Sequence, residues 1–553
     1  MKKIFAVMVT VFLAVVFTVP AYAVPESPPH VITITNTDSS VMHTYEAYRI
    51  FEGNLDTTDN ILSNIKWSDG IVSGDFLAEL KGMSEFSSCN SARDVAKVLA
   101  SFENDSSVLD AFATITGKHL DTVAGTSKES SSPYKINVTG DGYYFIKDKN
   151  DTVTAQGETY SKYILNVVHD VTIEAKDDHL VPEKNIIEND IPVSTNAVSV
   201  GDEITFSVKI DIPKMNGYKA YTFIMNDTLS KGLEYKAVKS VSVGGKTLAE
   251  NTDYTLSVEK NPDGTTSLKI TFNDFIQYKT ISGKVEVKYT AVLDTDAVIG
   301  GNGNPNTVNF TYSNNPSSTA TGNGGDTGIT PDSETVTYTT SINILKVDGQ
   351  DNTKLLRGAK FRIEGEKLNT VITTGKRFEK APYTAKDNET ADEDIYYLLD
   401  DGTYTTNAPE PVPAESYVLV HFTTITPTGE NVDFTGTTDN SGKTNFQGLN
   451  SGTYTITEIE APDGYNLLDN PISFGITWDS EKGFSVADSE QSGVTYDGTE
   501  KTFSITIENN SGSVLPYTGG IGTVIFKVIG GIFIAGAAVV LVSVMVSGRK
   551  KNT

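Results

Sequence analysis

Short stretches of alternating apolar and polar residues recur along most of the chain, the pattern of strands whose side chains point to opposite faces in turn. Val31-Ile32-Thr33-Ile34-Thr35 is the first, and Tyr45–Phe51 follows, rich in aromatic strand formers. Phe76, Leu77 and Leu80, then Val95, Val98 and Leu99, fall instead at helical spacing and predict a helical patch over Ala78–Phe102. Gly142–Ile146 and Tyr163–Val168 return to the strand pattern. A second series opens at Gly201–Val208 and runs through Tyr221–Met225 and Val285–Leu293 to Val308–Tyr312. Gly, Asn, Ser and Thr then dominate from Ser313 to Pro331, the composition of a linker or long loop. A third series of short strands runs from Thr340 to Glu508. Regularly spaced short strands predict a mainly β chain of tandem immunoglobulin-like sandwiches, with a helical insertion in the first. The boundaries are 24–175, 176–339 and 340–511.

The two ends break this pattern. Lys2-Lys3, an apolar stretch from Ile4 to about Thr18 and the small-x-small Ala21-Tyr22-Ala23 read as a signal peptide over residues 1–23. Near the C-terminus, Val528–Ser547 is apolar and long enough to cross a bilayer core of ~30 Å as a helix. The basic Arg549-Lys550-Lys551 after it fits the positive-inside bias. Ahead of that run stands Leu515-Pro516-Tyr517-Thr518-Gly519, which resembles the LPXTG sorting signal of Gram-positive surface proteins. The resemblance implies sortase cleavage between Thr518 and Gly519, with the transmembrane helix of 512–553 serving as a temporary hold. Thr518 would pass as a thioester to an amine, leaving the mature chain outside the cell and covalently attached.

Composition mainly excludes. A net charge of −27 argues against nucleic acid, which needs a basic partner surface. Cys89 is the single cysteine, so no intrachain disulfide can form. It lies in Ser87-Ser88-Cys89-Asn90 without a nearby histidine, a poor setting for a catalytic thiol. The six histidines show no metal-ligand spacing, and no phosphate-binding or nucleophile-elbow motif is present. No enzyme activity and no cofactor is expected.

The informative anomaly is polar residues in phase with buried faces. Phe503, Ile505 and Ile507 share a face with Asn509; Ile342 and Ile344 with Lys346; Tyr454 and Ile456 with Glu458. A lone buried charge is costly, so the three groups should meet. Phase alone leaves two outcomes open: a buried Lys346–Glu458 salt bridge beside Asn509, or a reactive triad. In the second, burial lowers the pKa of an amine and raises that of a carboxyl. The neutral amine attacks the amide carbon, the acid moves the proton, and ammonia leaves a Lys–Asn isopeptide bond.

Tyr454–Tyr465, with the sequence YTITEIEAPDGY, resembles the E-box of Gram-positive pilins; Ile456 and Ile459 stand where Leu and Thr are usual. Ile344–Asp348 and Leu356–Phe361 resemble the opening of the Cna-B-type pilin domain. The resemblance implies that Glu458 assists a Lys346–Asn509 bond, with Glu460 the weaker alternative acid. In the middle domain, Asp227-Thr228-Leu229 and Tyr312-Ser313-Asn314-Asn315-Pro316 resemble stretches of fimbrial shaft proteins that carry their own Lys–Asn bond. There Tyr221, Phe223 and Met225 are in phase with Asp227, Val308, Phe310 and Tyr312 with Asn314, and Lys184 is flanked in phase by Pro182 and Ile186. Lys184, Asn314 and Asp227 are the expected set, with Asn315 the rival amide and a simple turn cap the alternative role for Asp227.

Nearly the whole exported chain, its first domain least specifically, thus resembles a sortase-assembled pilus shaft subunit, polymerised head to tail through Thr518 and a lysine of the next subunit. The family's Tyr-Pro-Lys-Asn stretch is absent. Lys176, on the outward face of Val171–Lys176, is taken as the acceptor, and Lys184, which precedes Asn185, is its rival. The implied partners are pilus-assembling and housekeeping sortases, identical subunits, accessory pilins and peptidoglycan. The alternative reading is a wall-anchored adhesin or an accessory tip or base pilin that binds a host surface or matrix protein.

Overall fold

The computed structural model describes residues 29–512 apart from 37–41, 57, 59–60, 103–105, 129–130, 154–155, 161, 175–178, 216–217, 316–325, 367, 401, 428–432 and 488–491. The expected signal peptide, Lys176, the sorting motif Leu515–Gly519 and the apolar run toward the C-terminus lie outside those residues. Close packing divides the chain into two compact units in sequence after Thr339, with the short returns Gly448–Asn450 and Trp478–Gly483 belonging to the first.

The first unit begins with a sandwich of a three-stranded and a five-stranded sheet. Pro29–Thr35 lies between Tyr134–Thr139, antiparallel, and Val171–Glu174, parallel. Tyr45–Asp56 pairs with Ile61–Trp67 on one side and Gly142–Asp148 on the other. That strand buries residues on both faces, which explains its near-continuous apolar pattern. Tyr45 and Ala47 pack with Ile32, Ile34, Tyr134 and Ile136 between the sheets. Tyr48, Ile50 and Phe51 pack with Phe76, Leu80, Phe86, Val95 and Phe112 of the helical insertion.

The helical patch is not one helix. Ser73–Leu80, Ala92–Leu99 and an unexpected Ser107–Thr116 are separate helices. The polar stretch around Ser87 to Asn90 interrupts the first pair, and Ser91 caps the second helix by accepting from the Asp94 backbone N–H. Cys89 is buried in this cluster, where burial raises the pKa of its thiol, the opposite of what a nucleophile needs.

The same unit then forms a sandwich of six-stranded and seven-stranded sheets. Alternation sets the core: Val285, Val287, Tyr289, Ala291 and Leu293 on Lys284–Leu293, with Phe223, Met225, Leu229, Leu268, Ile270, Val308 and Phe310 from the other sheet. The glycine- and serine-rich stretch expected as a linker ends by folding back, since Thr327–Ile329 pairs with Thr311–Ser313.

In the second unit a seven-stranded sheet and a five-stranded sheet form the third sandwich. Thr340–Asp348 and Thr502–Asn509, the strands that open and close it, lie side by side and parallel, with Lys346 opposite Ile507 and Asp348 opposite Asn509. Thr370–Lys380 and Tyr417–Pro427 form a long antiparallel pair. The sequence reading resolved only short strands there, because the insertion between them is polar and rich in turn residues.

Candidate functional site

Two buried clusters each combine a lysine, an asparagine and a carboxyl. In the third sandwich, Ile342, Ile344, Phe503, Ile505 and Ile507 bury one face of the two parallel strands, and strand alternation carries Lys346 and Asn509 to the same interior. Glu458 comes from Gly452–Glu460 of the facing sheet, where it is opposite Phe361. The Lys346 and Glu458 side chains are fully buried.

Lys346 Nζ donates to Asn509 Oδ1 at 2.5 Å and to the Ile507 carbonyl at 3.3 Å, and lies 3.6 Å from Glu458 Oε1. Asn509 Nδ2 donates to both Glu458 oxygens, at 2.9 and 3.1 Å. The loop that follows the strand fixes that carboxyl, because the Leu468 backbone N–H donates to Glu458 Oε2 at 2.9 Å. Burial pulls the Lys346 pKa down to about 8, against the opposing pull of Glu458. The amine is therefore available in its nucleophilic form, hydrogen-bonded to the carbonyl it would attack. The acid touches the nitrogen that would leave.

In the middle sandwich, Lys184 sits on Glu183–Glu188 and Asp227 on Phe223–Leu229 of the opposite sheet, both fully buried. Lys184 Nζ is hydrogen-bonded to Asp227 Oδ2, and donates to Tyr289 Oη and to Asn306 Oδ1 at 2.8 Å each. Burial lowers the Lys184 pKa to about 8 and raises that of Asp227. Both shifts favour the neutral pair that amide attack requires.

The amide here is Asn306, which corrects the expectation of Asn314. Asp227 is opposite Val308 and Leu229 opposite Asn306, whereas Phe223 is opposite Tyr312, so Asn314 lies beyond the other end of the paired region. Asn304, Asn306, Val308, Phe310 and Tyr312 all share the buried face, so phase did not separate the two amides. The rival Asn315 donates to Asp326 at an exposed site, away from Lys184. Tyr289, which touches every member of this cluster, was read only as part of an apolar strand. The signal available was its hydroxyl, which when buried needs partners.

Lys184, being fully buried, cannot present its amine to another molecule in the folded state. Just ahead of Lys176, Thr172 and Glu174 are exposed while Val171 and Ile173 are half-buried. Among the described residues there is no group of three or more His, Cys, Asp or Glu placed to hold a metal ion, and no helix is long and apolar enough to cross a membrane.

Residues 200–316 match the model for the Gram-positive pilin backbone subunit 2, Cna-B-like domain; residues 419–491 match a prealbumin-like fold domain. Residues 507–553 match the LPXTG cell wall anchor motif. The trypsin-resistant surface T6 protein of Streptococcus pyogenes serotype M6 is 24% identical over 387 residues, covering 62% of this chain and 65% of that protein, so the chain spans just under two thirds of its length. Fimbrial subunit type 1 of Actinomyces viscosus is 24% identical over 492 residues, 82% of this chain and 84% of that protein. Among solved structures, the T6 backbone pilin of Streptococcus pyogenes is similar at a TM-score of 0.48 and 18% identity, covering 88% of this chain and 99% of that one. A Gram-positive pilin backbone domain, a prealbumin-like domain and an LPXTG cell wall anchor motif thus follow one another along the sequence.

Proposed function

We propose that this chain is the major shaft subunit of a sortase-polymerised pilus, with the middle and third sandwiches each stapled by a self-formed Lys–Asn bond. Sortase cleaves Thr518–Gly519, and the Thr518 carbonyl is transferred to Lys176 of the next subunit. The chain is a substrate throughout, and its own chemistry turns over once.

The observation that carries this reading is the Lys346–Asn509–Glu458 cluster, which would join the strands that open and close the sandwich next to the sorting motif. In the reaction, neutral Lys346 Nζ attacks Asn509 Cγ, and Glu458 moves the proton from Nζ to Nδ2. The C–Nδ2 bond breaks and ammonia leaves. Lys184 and Asn306 react likewise. Pulling force entering one subunit then runs through covalent bonds rather than through the weaker strand hydrogen bonds.

The test is an SDS gel of boiled wall extracts from the native host, probed for this protein, with and without Lys176→Ala. A ladder of very large species that collapses to monomer in the variant supports the shaft reading and its acceptor. A ladder that persists moves the acceptor to another lysine. A single anchored band in the wild type favours the adhesin reading instead.

A further inference from the structure

The two clusters differ in one respect that bears on their chemistry. In the third sandwich the carboxyl itself reaches the amide nitrogen, through both Glu458 oxygens. In the middle sandwich Asp227 bonds to Lys184 and Tyr289 but makes no hydrogen bond to Asn306. Asp is one methylene shorter than Glu, and the gap is filled by a phenol. Asn306 Nδ2 donates to Tyr289 Oη at 2.8 Å, and Tyr289 Oη donates to Asp227 Oδ2 at 2.9 Å. Tyr289 Oη also accepts from Lys184 Nζ at 2.8 Å. It is thus the one group in contact with the amine, the acid and the leaving nitrogen.

We infer that Tyr289 is a catalytic residue of the middle-domain crosslink, relaying the proton between Asp227 and the amide nitrogen of Asn306. This rests on the proposed Lys184–Asn306 bond and adds its proton route.

The placement is built by the fold. Tyr289 belongs to the inward series of Lys284–Leu293, whose other members there are Val, Ala and Leu. It is opposite Phe206 in register, and the two rings stack at 5.3 Å. That contact fixes the ring while the hydroxyl points into the cluster. Packing alone would be served by Phe, so the buried hydroxyl is the feature that needs a reason. Burial and the nearby Asp227 also hold the phenol pKa well above its usual value, so it is a neutral donor and acceptor rather than a phenolate base.

The step balances as follows. Neutral Lys184 Nζ attacks Asn306 Cγ. Protonated Asp227 gives its proton to Tyr289 Oη while the phenol proton passes to Nδ2. The carboxylate so formed takes the extra proton from Nζ, the C–Nδ2 bond breaks, and ammonia leaves. Asp227 and Tyr289 end as they began. No cofactor or co-reactant is needed.

The experiment is cell-free synthesis of the full chain, quenched at intervals and mapped by peptide mass spectrometry for the Lys184–Asn306 and Lys346–Asn509 links. With Tyr289→Phe, the Lys184–Asn306 link is expected to form about a hundredfold more slowly or not at all, the scale of a lost general acid. The Lys346–Asn509 link in the same molecules should form at the wild-type rate. To separate the hydroxyl from ring packing, a second preparation carries 3-fluorotyrosine at position 289 alone, which keeps the ring and hydroxyl but makes the phenol more acidic. A shifted pH–rate profile for the middle link alone is expected. Equal linking rates in Tyr289→Phe, or an unchanged profile with fluorotyrosine, overturn the relay. Absence of the Lys184–Asn306 link in the wild type overturns the underlying crosslink instead.

Discussion

Lys346 and Lys184 have exchanged water for apolar walls, an asparagine amide and a partner carboxyl, and burial brings both amines to about 8. This has a measurable consequence wherever the amine stays free, as it does in Asn509→Ala. There Lys346, held by the same burial, is expected to titrate near 8 in the folded chain, as it does beside Asn509, and at its ordinary 10.5 in the unfolded one. Between those values the unfolded chain binds a proton that the folded chain does not, so stability rises with pH across the window and is lost as pH falls through it. Denaturant unfolding of the third sandwich at about pH 8 and about pH 10, set against wild type, checks the sign; a difference that stays flat or runs the other way contradicts it. Glu458→Ala is expected to leave the chain heavier than wild type by one ammonia beyond the mass change of the substitution itself. It should also lower stability by about 3–5 kcal/mol, the cost of stranding a buried partner, read from the unfolding midpoint. At this scale the sequence was legible in the third sandwich, because Lys346, Asn509 and Glu458 each sit at the end of a clean apolar alternation. It was less legible in the middle one, because Tyr289 looks like any core aromatic until its hydroxyl is located.

Elements decide which amide meets the buried lysine. Buried Asn304 and Asn306 stand at one end of the strand Asn304–Ser313 and Asn314 just past the other, and only the strand's register against Phe223–Leu229 brings Asn306 rather than Asn314 beside Asp227. Register between distant strands is a tertiary property that phase within one strand cannot supply. Asn306→Ala should therefore abolish the middle crosslink while Asn314→Ala retains it, as peptide mapping of the two purified variants would tell; the reverse result would restore the sequence-based choice. Helix ends were similarly hidden. Spacing marked an apolar helical patch, but its division at Ser87 to Asn90 follows from local hydrogen bonding, with Ser91 capping the second helix and Asp94 accepting from the Asn90 N–H. Ser91→Ala is expected to cost about 1 kcal/mol, the usual value of an N-cap, seen as a lowered melting midpoint of the first sandwich.

For the whole molecule, the succession of strand-rich parts within residues 29–512 was legible, because turn-rich segments punctuate the strand series, whereas the terminal segments lie outside the described residues. A chain with one cysteine, buried at that, has no disulfide to resist extracellular force or proteolysis. The two lysine–asparagine clusters offer the alternative, one in each of the last two sandwiches. In the proposed pilus, sortase transfer at the sorting motif would extend the same amide chemistry from within a subunit to between subunits. The central claim is that this chain is joined to copies of itself, and the direct measurement is peptide mass spectrometry on the SDS-resistant species from the native wall. The account predicts a branched peptide in which the Thr518 carbonyl is amide-bonded to Lys176 Nζ. Recovery of Thr518 joined only to peptidoglycan, with no subunit lysine attached, would contradict it.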